Sequence, residues 1–180
     1  MTAGGGQGSR PPPAAPEAVP AGTPTRPTGP PGGVPTGQPT PVSPRQDEDV
    51  RRSLGRENDT AVILARHKYR VHQNPTRQEV AGARSSTGDV GKPGKEPDFL
   101  LEGRVFDCYA PGQGKPVRSV WSEVATKVRW GQTQRVVLNL QDWGDDVDSV
   151  RRQFADWPIN GLKEVKAVTI EGRVVDIWHG

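Results

Sequence analysis

The stretch EPDFLLEGRVFDCYAP, residues 96–111, decides the fold because it reads as two strands joined by a tight turn. Its two apolar runs favour strands, and Glu102-Gly103 between them suits a two-residue hairpin loop. A hairpin closed there places Asp98 directly opposite Asp107. Side-chain alternation then predicts a core face and an opposite face that carries both aspartates. The predicted core residues are Phe99, Leu101, Phe106 and Cys108.

The opposed aspartates point to chemistry because like charges facing each other across a hairpin are destabilising. One carboxylate can be protonated, both can turn into solvent, or a cation can lie between them. A hard divalent ion such as Mg²⁺ needs only one or two carboxylates and completes its shell with water and substrate phosphate. Glu57 and Lys127, each on a predicted helix, could complete such a site. From the residues alone, a solvated acidic pair is the competing interpretation.

The segments around the hairpin predict an α/β domain with a mixed β-sheet and flanking helices. Apolar residues at helical spacing predict helices, and β-branched runs predict strands. The helices are expected over 54–67, 117–130 and 145–154, and the further strands over 69–73, 135–140, 165–170 and 173–178. Residues 76–96 are polar and Gly-rich with no period, which predicts a long mobile loop. The aspartates at 142–148 predict a helix N-cap with an acidic first turn.

The N-terminal part of the chain has a different composition. Residues 1–44 contain nine glycines and thirteen prolines, half of the segment, and no aromatic residue. Such a stretch buries too little apolar surface to offset the entropy of ordering it. We therefore expect residues 1–48 to form a disordered leader or linker and residues 49–180 to form the domain.

Charge and cysteine content set broader bounds. The formal net charge of the chain is +3. The first 50 residues hold three basic and four acidic side chains, a net charge of −1, so residues 51–180 carry +4. This is a mild bias towards anionic partners such as nucleic acid. The single cysteine, Cys108, forms no internal disulfide and is expected to pack in the core. We expect no membrane segment and no signal peptide at Met1, so the export route is not visible.

Several segments together resemble one known family. ENDTAVILARHKYRVHQNP looks like its first helix and strand, and PDFLLEGRVFDCYAP like its aspartate-bearing hairpin. RSVWSEVATKVRWGQTQRVVLNLQD resembles its lysine-bearing helix, turn and central strand, and DWPINGLKEVKAV and GRVVDIW resemble its closing elements. The family is the C-terminal tRNase domain of the contact-dependent growth inhibition toxins. Those domains are similar to the PD-(D/E)xK restriction-endonuclease fold.

The resemblance implies a set of site residues. Glu57, Asp98 and Asp107 would bind a divalent metal, Mg²⁺ in the first place and Mn²⁺ or Zn²⁺ otherwise. Lys127 would be the catalytic lysine. Gln132 and Arg135 match positions near the active site and would contact substrate. Because Tyr109 occupies the position where the general PD-(D/E)xK pattern has its lysine, the site depends on Lys127.

The resemblance also implies a function. The domain would be an endoribonuclease toxin that cleaves tRNA, delivered into the cytoplasm of competing cells, with a cognate immunity protein in the producing cell. One alternative keeps the fold and changes the substrate to DNA. A second alternative is a non-catalytic module that binds nucleic acid or a protein partner. The residues do not indicate an oligomeric state or which tRNA is cut.

Exposed aromatic and basic residues remain open as substrate contacts. Trp130 and Trp143 would either stack on bases, as aromatic residues of nucleic-acid-binding proteins do, or pack in the core. For Trp121 the core is favoured. The first helix carries several arginines that would either contact phosphates or form a solvated face. They are Arg51, Arg52, Arg56 and Arg66.

Overall fold

The computed structural model of the protein describes residues 22–180, which form four helices and one seven-stranded sheet. The strands are β1 (Thr36–Gly37), β2 (Val71–Gln73), β3 (Phe99–Leu101), β4 (Arg104–Tyr109), β5 (Arg135–Asn139), β6 (Glu164–Val168) and β7 (Val174–His179). The helices are α1 (Glu48–Arg66), α2 (Arg77–Thr87), α3 (Val117–Arg129) and α4 (Val147–Asp156). The sheet order follows the chain from β1 to β7. The pairs β1–β2, β4–β5 and β5–β6 are parallel, and the other three are antiparallel, which confirms the predicted mixed sheet.

The β3–β4 hairpin has the predicted register. Leu101 pairs with Arg104, and Phe99 pairs with Phe106. The loop residues Glu102 and Gly103 both adopt positive φ, 50° and 74°. Positive φ at both positions is the type I′ geometry that matches the twist of the flanking strands. The pairing ends at Phe99–Phe106, one step short of the two aspartates.

Side-chain alternation divides the core between the two faces of the sheet. α1 covers the face that carries Phe99 and Phe106, while α3 and α4 cover the face that carries Val136 and Leu138. Cys108 lies in the first cluster, as predicted. Burial raises the pKa of the Cys108 thiol well above its usual value, so this residue serves packing and is not an activated nucleophile.

The prediction of a long loop over residues 76–96 is wrong for its first half, where α2 forms. Thr76 accepts the N–H of Glu79, and the Glu79 carboxylate accepts the N–H of Thr76 at 2.8 Å. This is a capping box, and its T-x-x-E signature is present in the sequence. The helix has so few apolar residues that no period shows. Val80, 3% exposed, nevertheless anchors it to the domain.

The predicted disordered leader does not extend through residues 22–47, which lie on the domain. Thr25 donates its N–H and hydroxyl to the carboxylate of Glu164, and Thr28 donates in the same way to Glu102. Further along, β1 adds an edge strand beside β2. The segment has little apolar surface to bury, but the domain supplies hydrogen-bond partners for its polar groups, and these contacts order it. The part of the prediction that concerns residues 1–21 lies outside the described residues.

The acidic run before α4 caps a helix, as predicted. The side chain of Asp146 accepts the N–H of Asp148 at 3.1 Å, and Val150 and Phe154 of α4 are buried. None of the helices described between residues 22 and 180 combines the length and apolar character that a membrane crossing requires.

Candidate active site

Asp98 and Asp107 meet where β3 and β4 separate. The Asp98 carboxylate accepts the backbone N–H of Cys108 at 2.7 Å. In return, the Asp107 carboxylate accepts the backbone N–H of Asp98 at 3.3 Å. Each acid is therefore held by the backbone of the opposite strand. This continues the hairpin with side chains after the backbone ladder has ended, and it fixes the two carboxylates side by side.

Asp107 is completely buried, so the interpretation of a solvated acidic pair is wrong for this residue. Besides the Asp98 N–H, its carboxylate receives the ammonium of Lys127 and the side-chain amide of Gln132, the latter at 3.1 Å. A buried carboxylate needs such donors, because an unpaired charge inside a protein is costly.

Lys127 reaches Asp107 from the last turn of α3, and the register of that helix explains how. Val120 and Val124 face the core of the sheet, while Lys127 lies at the border of their face with 23% of its side chain exposed. Burial disfavours the charged ammonium, but the Asp107 carboxylate outweighs this effect and raises the pKa of Lys127. The lysine is therefore a fixed cation at the rim of the site.

Glu57 approaches from the middle of α1. Its half-buried carboxylate accepts the hydroxyl of Thr40. Burial and the charge of Asp107 raise the pKa of Glu57 in spite of that hydrogen bond. For Asp98 the same effects are larger: burial first, then the charges of Asp107 and Glu57, raise its pKa well above its usual value. Three acids thus share one site whose local cation is Lys127.

This cluster has more negative charge than its protein partners balance. Across the described residues, no group of three or more histidine, cysteine, aspartate or glutamate side chains is arranged so that it could hold a metal ion. Glu57 is bonded to Thr40, and Asp107 is bonded to Lys127. The predicted residues Glu57, Asp98, Asp107 and Lys127 are nevertheless neighbours in space, as their mutual effects on pKa show.

The two predicted substrate positions differ. Gln132 lies in the site, because its amide donates to Asp107. Arg135 does not: its side chain is buried against Asp89 and faces Glu164, at the start of β5. Because its guanidinium is buried and ion-paired with these two acids, the expectation that Arg135 contacts substrate is not supported.

The structure also shows the surroundings of arginines and a tryptophan whose role as substrate contacts the sequence left open. Arg52 and Arg56 of α1 both pair with Asp142, which lies just after β5. Trp143 is buried, with its indole N–H on the carbonyl of Lys115, so it is a core residue. Thr40 was missed because it lies in the segment predicted to be disordered, and no local pattern marks it.

The sequence matches known proteins over much of its length. Residues 95–174 match the family model of the contact-dependent growth inhibition CdiA C-terminal domain. The chain is 37% identical over 138 residues to tRNA nuclease CdiA-2 of Burkholderia pseudomallei (strain 1026b). The match takes in 77% of this chain and 4% of the length of that relative.

A solved structure extends the match to three dimensions. A chain of the CdiA-CT/CdiI toxin and immunity complex from Burkholderia pseudomallei is 35% identical, with a TM-score of 0.67. The superposition covers 79% of the present chain and 97% of that chain. A likeness this complete in sequence and fold shows that the protein belongs to the family of CdiA C-terminal domains of contact-dependent growth inhibition.

Proposed function

We propose that the domain is a metal-dependent endonuclease that cleaves tRNA, and that it acts as a toxin in a competing cell. The observation that carries this proposal is the convergence of three acids and one lysine at the point where β3 and β4 separate. The name of the curated relative, a tRNA nuclease, supports the substrate.

The pair of aspartates suits a hard divalent cation that needs only one or two carboxylates and completes its shell with water and substrate phosphate. Asp98 and Asp107 present carboxylate oxygens side by side, with Glu57 next to them, and such oxygens are what Mg²⁺ or Mn²⁺ prefers. Burial, and after it repulsion from Asp107 and Glu57, raises the pKa of Asp98, and a cation among these acids would offset that repulsion. When bound, the metal would acidify a water molecule and stabilise charge on the scissile phosphate.

The protein's own groups would orient the reactants. Lys127, held by Asp107, places a positive charge where negative charge grows on the phosphate. Gln132 and the Asp98 N–H fix the position of the Asp107 carboxylate, and the Cys108 N–H fixes that of Asp98. Fixed donors of this kind lower the cost of reorganisation during the reaction.

Delivery and partners follow from the family. The matched structure is a toxin and immunity complex, which supports an immunity protein as the cognate partner of this domain. We expect that partner to present acidic groups, because the domain's net charge is positive. Action in the cytoplasm of the target cell belongs to the same proposal.

The test incubates the purified 180-residue chain with total RNA, tRNA or plasmid DNA, with EDTA or with added Mg²⁺, Mn²⁺ or Zn²⁺. Metal-dependent loss of tRNA supports the proposal, whereas plasmid nicking without tRNA loss would assign DNA as the substrate. Activity that persists in EDTA would exclude the metal requirement.

Matched variants locate the site. Asp107→Asn should abolish cleavage, whereas Asp148→Asn, which changes an exposed aspartate on α4, should leave it unchanged. Full activity of Asp107→Asn would show that the site lies elsewhere.

A further inference from the structure

An exposed tryptophan stands at the rim of the candidate active site. Trp130 follows α3 directly and is 56% exposed. It lies three residues after Lys127 and two before Gln132, and both of these side chains are bonded to Asp107. An exposed indole is unusual for a residue that normally buries its ring. Here it lies in the chain between two residues whose side chains reach Asp107 in the proposed reaction centre.

A lysine accompanies the ring. The ammonium of Lys92 lies 5.4 Å from the centroid of Trp130, within the range of a cation–π contact. The backbone of the same lysine is tied to the turn after α3, because its N–H donates to the carbonyl of Gly131 at 2.8 Å. Gly131 has φ of +69°, and a side chain there would collide with Lys92. The aromatic ring and the cation are therefore held together.

Arg84 of α2 fixes this arrangement from below. Its guanidinium donates to the carbonyl of Lys92 at 3.2 Å and to the carbonyl of Gln132 at 2.9 Å. Arg84 is 9% exposed, and Gly91 packs so closely against its guanidinium that a Cβ at this position would displace it. A buried arginine thus connects the Lys92 loop with the turn that carries Trp130 and Gln132. The rim is built and is not a chance cluster of surface residues.

We infer that Trp130 and Lys92 form a binding platform on which an unpaired nucleobase of the RNA substrate stacks, with the lysine contacting the adjoining phosphate. This inference rests on the proposed function and deepens it. Aromatic rings flanked by cations are the general means by which proteins hold single-stranded nucleic acid. The position next to Lys127 directs the bound strand past the carboxylates.

A second exposed tryptophan provides a matched control. Trp157 is 55% exposed, and the Arg118 guanidinium lies 4.7 Å from its ring centroid. Arg118 is in the first turn of α3, twelve residues before Trp130, which corresponds to about 18 Å along the helix axis. The two tryptophans are equal in exposure and in having a cation, but only Trp130 lies at the candidate active site.

The test measures binding without cleavage. The full chain, kept in EDTA, is titrated against a fluorescein-labelled single-stranded RNA of about eight nucleotides, a length typical of such sites. Trp130→Ala should weaken binding by about 5- to 100-fold, the loss expected for one stacked base. Trp130→Phe keeps an aromatic face and should retain most of the affinity. Trp157→Ala should bind like the unchanged chain.

Lys92→Gln adds a second readout. It should weaken binding and reduce the slope of log affinity against log salt by about one phosphate contact. Thermal melts of each variant verify folding, which these exposed positions should preserve.

The inference is overturned if Trp130→Ala binds as well as the unchanged chain, if Trp157→Ala loses as much, or if the unchanged chain does not bind. Unaltered RNA binding by Trp130→Ala would show that Trp130 does not bind RNA, and its exposed ring would then be assigned to contact with a protein partner. Because no cleavage is measured, the outcome is separable from that of the proposed function. RNA binding that depends on Trp130 in a chain that cuts nothing would uphold the platform and refute the nuclease.

Discussion

The carboxylate of Asp98 accepts the backbone N–H of Cys108 at 2.7 Å, so a side chain takes over the hairpin where the β3–β4 ladder stops. Asp98→Asn keeps an oxygen for that N–H and removes a charge that burial, Asp107 and Glu57 all disfavour. We expect this variant to be as stable as the unchanged chain or more so, but inactive.

Asp98→Ala is the contrasting variant. It leaves the Cys108 N–H without its acceptor, which should cost about 1–3 kcal/mol of unfolding free energy. Urea denaturation of the two variants in EDTA checks the pair. A large loss of stability in Asp98→Asn would show that the charged carboxylate itself is needed for folding.

The Lys127–Asp107 pair should behave as a unit. Lys127→Met leaves the buried Asp107 carboxylate without its cation, and we expect a loss of about 2–4 kcal/mol, less than for a fully buried pair because Gln132 and the Asp98 N–H still donate. Adding Asp107→Asn to Lys127→Met should recover at least about 1 kcal/mol of the lost unfolding free energy. Lys127→Met and the double variant should each lose at least about 100-fold in cleavage rate. Strictly additive stabilities in the double-mutant cycle would contradict the coupling.

Two threonines of the N-terminal segment make the same contacts in different surroundings. Thr25 is 2% exposed and donates its hydroxyl to the buried Glu164, whereas Thr28 donates to Glu102 at the surface. We expect Thr25→Val to cost about 1–2 kcal/mol, because a buried carboxylate loses a donor. Thr28→Val should cost less than about 0.5 kcal/mol. Equal losses of unfolding free energy in the two variants would show that burial does not strengthen the Thr25 contact.

Stability in acid should depend on Asp89. Burial opposes its ionisation, but the hydrogen bond from Lys163 and the charge of Arg135 prevail and lower the pKa of Asp89. A carboxyl whose pKa is depressed in the folded state stabilises the protein above its unfolded value of about 3.9, and this contribution is lost as pH falls through the lower folded value.

Asp89→Asn should therefore lower stability at neutral pH and flatten the decline below about pH 4. We expect a loss of about 3 kcal/mol, the lower end for breaking a buried pair, because Glu164 still faces Arg135. Urea midpoints between pH 2.5 and 7 measure the effect, with the exposed Asp156→Asn as control. An unchanged acid profile in Asp89→Asn would contradict the assignment.

The secondary structure was largely predictable because its signals are local. The hairpin needs only two alternating runs and a turn that tolerates positive φ, and the structure confirms both. α2 was missed although its capping box was visible, because Thr76 and Glu79 mark a helix start while the rest of the helix has few apolar residues. α1 begins at Glu48 and not at Leu54, since its charged first turns carry no period.

The candidate site was predictable in its residues but not in its surroundings. Hairpin register placed Asp98 beside Asp107, the predicted helices offered Glu57 and Lys127, and the family resemblance implied the same four residues. The resemblance also suggested Arg135, which the fold places against Asp89 instead. A basic side chain in a strand forms an ion pair with an acid that packs next to it. Tertiary contacts determine which acid that is.

The hairpin, its register and the pair of aspartates follow from the sequence alone, because alternation and turn chemistry act between near neighbours. Only the tertiary structure decided that Asp107 is buried, that Thr40 holds Glu57, and that Trp130 is exposed while Trp143 is not. Burial and pairing of this kind depend on which distant segments pack together. That is why residues 22–47, which look disordered from their composition, lie fixed on a domain that supplies their hydrogen-bond partners.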